Sequence, residues 1–206
     1  MTLESSLVRA KNHQPKLIIC SITDQLLQNL PISVVFFYQK SIDYAVLVNA
    51  LQTVLSDFPI FSGVLKKVNH NLCIDCNNQG VLFLISHENQ TINQILKELP
   101  KIQKDNKERL VHEINPKTAI ADQSPLLTIQ LTYFACGGMT LGACWHHSIG
   151  DMHTFMQLMK AWSNAVENKD YGLPLIIEKR DAYLEENLEK NQNTKPSVRY
   201  INIIET

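Results

Sequence analysis

The sequence predicts an α/β domain in which a mixed sheet is covered by helices, and three observations predict it. Strand-like and helix-like runs alternate along the chain. Residues 126–134 and 139–145 read as two strands joined by a glycine turn, and no Gly-rich phosphate loop of either common type is present. Strands that pair as hairpins, with no such loop, argue against a doubly wound nucleotide fold.

In chain order, residues 32–38 are rich in Val and Phe and read as a strand. Residues 44–58 place Ala45, Val48, Leu51, Leu55 and Phe58 at helical spacing, and Pro59 closes that helix. Residues 72–74 and 81–86 flank Asn77-Asn78-Gln79-Gly80, whose turn-forming residues predict a hairpin. A short helix over 91–99 follows, then a charged stretch over 100–109 that is expected to be exposed. Ala135-Cys136-Gly137-Gly138 supplies the turn between the strands 126–134 and 139–145. In Met152–Val166 the apolar positions Phe155, Leu158, Met159, Trp162 and Val166 follow a 3.6 period, and Asp151 stands where a cap belongs. Residues 185–195 are polar and read as a linker, and 197–203 alternate again as a strand would.

Composition narrows the function classes. With 206 residues, 45% of them apolar, the chain can build one substantial core, and no apolar run reaches a membrane span. A net charge of -1, from 19 basic and 20 acidic side chains spread along the chain, offers nucleic acid or an anionic membrane no basic stripe. The first residues lack a secretory signal pattern and five cysteines make an odd number, so the sequence predicts a soluble, cytoplasmic protein. Cys73 and Cys76 form a Cys-x-x-Cys, but on an alternating run with no second pair they read as structural.

Chemistry concentrates in Cys144-Trp145-His146-His147-Ser148-Ile149-Gly150-Asp151, between a strand and a helix. An imidazole at a strand end can take a proton from a hydroxyl or amine near neutral pH, which makes His147 the candidate general base. No serine or cysteine nucleophile stands in an elbow beside it, so direct acyl transfer is a natural reading. The spacing is equally met by a histidine that only holds hydrogen bonds, and both readings stay open on the motif alone. Asp151, four residues on, serves either as a relay partner or as a cap that fixes the turn. A metal site on His146, His147, Asp151 and His153 is disfavoured, because adjacent side chains on an extended segment point to opposite faces.

The motif stands inside a longer pattern. Ser21-Ile22-Thr23-Asp24, Val35-Phe36-Phe37-Tyr38, Ala50-Leu51-Gln52-Thr53-Val54-Leu55 and Phe58-Pro59-Ile60-Phe61-Ser62-Gly63-Val64-Leu65 occur in order. They are followed by Asp75-Cys76-Asn77-Asn78-Gln79-Gly80-Val81-Leu82-Phe83 and by Pro125-Leu126-Leu127-Thr128-Ile129-Gln130-Leu131-Thr132. This order resembles the N-terminal half of the BAHD-type acyl-CoA-dependent acyltransferases. Two positions depart from the family pattern: Val64 stands where an arginine is usual, and Met152 where a glycine usually follows the aspartate.

The resemblance implies a chloramphenicol-acetyltransferase-like two-layer domain over residues 1–190, and over 191–206 a crossover linker with the first strand of a C-terminal domain. It implies His147 as general base and Asp151 as structural support, and leaves Phe36 and Tyr38 either as contacts in the acceptor channel or as ordinary core aromatics. The expected partners are acyl-CoA as co-substrate, an alcohol or amine acceptor, and the C-terminal half or a second copy. No permanently bound cofactor or metal is expected, and the isolated chain is expected to be inactive. Two other classes remain: a catalytically degenerate binding domain, and a homo-oligomeric acetyltransferase with its site between subunits.

Overall fold

The computed structural model describes residues 3–105 and 109–174, so the expected linker and strand within 191–206 lie outside the described residues. The described residues form two sheets. The larger has five strands in the order β1 (Leu3–Val8), β6 (Val81–Glu88), β7 (Leu127–Phe134), β8 (Met139–His146) and β3 (Pro31–Tyr38). Only β6 and β7 run parallel; the other neighbours are antiparallel. The smaller sheet is antiparallel in the order β2 (Lys16–Ile19), β5 (Asn71–Cys76), β4 (Val64–Val68).

Side-chain alternation gives the larger sheet two covered faces. On one face, the register aligns Val34, Ala143, Ile129 and Phe83 in a row, under the helices α2 (Tyr44–Val54) and α5 (Met152–Val166). The indole N–H of Trp162 on α5 donates to the Leu47 carbonyl at 2.9 Å and ties the two helices together. On the other face, Val35, Gly142 and Gln130 lie beneath the segment that follows α3 (Ile92–Asp105). There Gln130 Nε2 donates to the Arg109 carbonyl at 2.9 Å, and a Cβ on Gly142 would stand 2.0 Å from the Leu110 carbonyl oxygen. Only glycine lets that backbone pass so close to the strand.

The expected hairpin across 77–80 is corrected by this topology. β5 and β6 belong to different sheets, and Asn77-Asn78-Gln79-Gly80 is the corner between them. Asn78, at φ 58°, accepts from the Ala10 N–H at 2.8 Å and donates to the Ala10 carbonyl at 3.2 Å, while the Gly80 N–H reaches Ser62. Those bonds carry the chain across to pair with β1. The hairpin partner of β5 is instead β4, through a turn in which Asn69 and His70 both have positive φ, as a type I′ turn requires.

Three smaller expectations also change. α2 ends at Val54 rather than Phe58, because Pro59 opens a 3₁₀ turn (Pro59–Ser62) and restricts the residue before it. α3 runs on to Asp105, beyond the expected 91–99. Arg109, at the end of the charged stretch expected to be exposed, is clamped instead: its Nε donates to Glu88 Oε1 at 2.8 Å and its Nη1 to Glu98 at 3.3 Å, with only 20% of its side chain exposed. Short elements absent from the sequence reading are β1, β2, β4, α1 (Ile22–Leu26) and α4 (Pro116–Ala121).

Candidate active site

Every residue of β8 is buried, so the strand enters the core and leaves it only at its end. There the chain makes a 3₁₀ turn (His147–Ile149), passes through Gly150 and starts α5. The stack of Trp145 on Phe155, with centroids 4.1 Å apart and planes at 6°, joins strand to helix below this turn. The indole N–H of Trp145 donates to the Gly150 carbonyl at 2.9 Å, so the loop is closed on itself. The backbone latitude of the turn resides at Gly150, at φ 157°, where a Cβ would meet Thr154 at 2.6 Å. Met152, at the family's glycine position, is the first residue of α5 and is exposed.

His147 is half-buried between two fully enclosed neighbours, His146 and Ser148. Its backbone N–H donates to the Leu30 carbonyl at 3.3 Å, and Ser148 Oγ donates to the Asp24 carbonyl at 3.1 Å. The segment from Ser21 to Leu30 therefore braces the turn. That segment holds α1, which a reciprocal box caps: Asp24 N–H to Ser21 Oγ at 3.1 Å and Ser21 N–H to Asp24 Oδ2 at 2.8 Å. No residue of α1 is buried, and Ile22 and Leu26 are 68% and 77% exposed.

Asp151 turns its carboxylate into the helix. Its Oδ1 accepts from the Thr154 N–H and from Thr154 Oγ1, both at 2.9 Å, and it makes no hydrogen bond to His147 among the described residues. The Thr154 N–H, then its hydroxyl and the nearby His153, hold this carboxyl below its ordinary 3.8. A group lowered on folding stabilises the fold above its unfolded pKa, and that stabilisation disappears as pH falls through the folded value. Asp151→Ala is expected to cost about 1 kcal/mol in urea unfolding, most of it restored by asparagine. The gap between wild type and Asp151→Ala is expected to narrow below pH 3.8. Equal unfolding midpoints at neutral pH would contradict the capping role.

The other candidates spread apart. His146 Nδ1 accepts from the Ser148 N–H and the His153 ring contacts Gln157 Nε2 at 2.9 Å, and among the described residues no three His, Cys, Asp or Glu side chains come together as metal ligands. Cys73 and Cys76 are buried three apart on β5, which points them to opposite faces of the strand. Pro31 pairs with His146 and Tyr38 with Met139, so Tyr38 lies at the far end of β3, about 23 Å of strand away. Tyr38 lines a small open pocket with Ile42, Met139 and Met159, and Phe36 packs on the main core.

The strand-turn-helix that carries the half-buried His147 lies within a match to a transferase family that spans most of the chain. The family model described as "Transferase: Transferase family" matches residues 2–202. Limonoid 21-O-acetyltransferase from Citrus sinensis is 34% identical over 165 residues, covering 77% of this chain and 37% of that protein. Acetyl-CoA-benzylalcohol acetyltransferase from Clarkia breweri is 29% identical over 157 residues, covering 75% of this chain and 35% of that protein. Among solved structures, vinorine synthase superposes with a TM-score of 0.65 at 23% identity, over 84% of this chain and 45% of its own. TRI101 of F. graminearum, solved with coenzyme A and T-2 mycotoxin, gives 0.61 at 17% identity, over 80% and 43%.

The chain belongs to this family, the BAHD acyltransferases, and has their chloramphenicol-acetyltransferase-like fold. It spans between a third and a half of the length of these relatives.

Proposed function

We propose that this chain supplies the histidine-bearing N-terminal half of an enzyme that moves an acyl group from an acyl-CoA thioester to an alcohol or amine. Residues 1–190 form the domain, and 191–206 lead into a second half that completes the site. The observation that carries this reading is the mounting of His147: a half-buried imidazole at the apex of a turn fixed by the Leu30 carbonyl, by Ser148 on Asp24 and by Trp145 on Gly150. An acid–base group needs such fixed placement and access to both reactants.

In this mechanism a ring nitrogen of His147 accepts the proton of the acceptor hydroxyl or amine as its oxygen or nitrogen attacks the thioester carbonyl carbon. The tetrahedral intermediate then breaks its carbon–sulfur bond. The imidazolium returns its proton to the departing thiolate, giving an ester or amide and free coenzyme A. Asp151 supports the motif by capping α5. Phe36 and Tyr38 contact only an acceptor long enough to extend along β3. Two relatives named for O-acetylation and for a benzyl alcohol acceptor favour an alcohol.

The second half is the expected cover for the apolar surface around the site. Ile22, Leu26 and Leu30 beside the turn, and Met152 and Met156 on the first turns of α5, are all exposed. An apolar cluster beside a half-buried catalytic group is a surface suited to burial by another domain. No helix among the described residues is long and apolar enough to cross a membrane, and the odd number of cysteines suits the reducing cytoplasm, where we place the protein.

Free-thiol release from a panel of acyl-CoA thioesters with alcohols and amines tests the reading. The 206-residue chain is compared with the longest product that carries it. Activity is expected only in the longer product. Turnover by the chain alone would refute the half-site, and none in either would refute the transferase.

A further inference from the structure

His146 is completely enclosed at the end of β8, and among the described residues the one well-formed hydrogen bond of its ring is at Nδ1, which accepts the Ser148 N–H at 3.2 Å. Its Nε2 is buried with no well-formed hydrogen bond among the described residues, and the Gln28 backbone is its nearest acceptor, a weak contact that favours a proton on the ring. Burial is the dominant influence and pushes the imidazole down to about 4, so the ring is neutral. Because Nδ1 accepts, the hydrogen-bond network assigns the proton to Nε2.

An orphaned buried nitrogen is costly, and a leucine in this space would leave none. What leucine would lack is the acceptor for Ser148. That amide stands in the first turn of the 3₁₀ segment, where the backbone of the turn supplies no acceptor, and His146 is the turn's side-chain cap. The neighbouring residues add their own ties to one segment: His147 N–H to the Leu30 carbonyl and Ser148 Oγ to the Asp24 carbonyl. His146 therefore sits where the strand, the turn and the 21–30 segment meet.

We propose that His146 is a positioning residue for His147: its Nδ1 caps the turn through the Ser148 amide and so holds the neighbouring imidazole at the angle the reaction requires. The proposal rests on His147 being the general base. It makes the paired histidines unequal, one enclosed and holding the turn, the other open to the reactants.

The test uses the longest product that carries this chain, with His146→Leu, His146→Asn and His146→Gln beside His147→Ala. Asparagine keeps an acceptor near the place of Nδ1; glutamine moves it toward that of Nε2. For His146→Leu and His146→Gln, amide exchange at Ser148 is expected to rise about tenfold. Their kcat is expected to fall by roughly 10- to 100-fold with KM for acyl-CoA little changed. His146→Asn is expected to restore both, which a general loss of packing would not do. If His146→Leu fails to fold, the contrast between asparagine and glutamine decides the question. Unchanged Ser148 exchange, or glutamine equal to asparagine in kcat, overturns the proposal. Full activity of His147→Ala would instead overturn the general-base reading, and Ser148 exchange would still show whether His146 holds the turn.

Discussion

Replacing His147 by alanine in the longest product that carries this chain is expected to lower kcat for acyl transfer by about 10²- to 10⁴-fold, the usual worth of a positioned acid–base group. The ties that shape the turn survive this change. The Leu30 bond uses the His147 backbone N–H, the Asp24 bond uses Ser148, and the Gly150 bond uses Trp145. Melting temperature and KM for acyl-CoA are therefore expected to stay near wild type, so the loss falls on the chemical step. Steady-state thiol release with a thermal melt reads both quantities. A kcat within about threefold of wild type, far below that acid–base contribution, would remove His147 from the reaction.

Trp145→Ala is expected to have the largest effect on stability. The side chain is fully enclosed, stacks on Phe155 at 4.1 Å, and holds the Gly150 carbonyl. Removing so large a buried side chain costs about 3–5 kcal/mol. A domain's whole stability is only about 5–15 kcal/mol, so the variant is expected to be partly unfolded at 37 °C. Trp145→Phe keeps an aromatic on Phe155 and loses the N–H, at a cost nearer ~1 kcal/mol. Urea unfolding of the three proteins checks the ranking. A cost below about 1 kcal/mol for alanine, a fraction of the usual large-to-small penalty, would mean that the stack does not hold strand to helix.

The parts of the fold that were legible in the sequence are those set by local signals. The strand at 32–38, the β7–β8 hairpin with Gly137 at φ 79°, and α5 with its Asp151 cap all depend on neighbours within a few residues. The corner at 77–80 misled because its turn residues were read correctly but its partners were not. Whether such residues close a hairpin or switch sheets depends on Ala10 and Ser62, which lie far away in sequence. Arg109 shows the same limit: a charge run looks solvated until Glu88 and Glu98 fold against it.

The site divides similarly. A histidine and a cap at the junction of strand and helix could be placed from periodicity alone, which located His147 and Asp151. The bracing could not, since Ser148 and Asp24 are 124 positions apart. Phe36 and Tyr38 were legible as strand residues, but their distance from His147 follows from the β3–β8 register, which no local pattern encodes. His146 was visible only as one of two adjacent histidines. Its enclosure and its bond to Ser148 emerge from the packing of β8.

The measurement that tests the central claim most directly is thiol release from acyl-CoA by the longest product carrying this chain, followed through the first turnover with and without an alcohol acceptor. Direct transfer with His147 as base predicts no thiol burst until acceptor is added, and steady release thereafter that is lost in His147→Ala. A stoichiometric burst without acceptor, or release unchanged in His147→Ala, would contradict it.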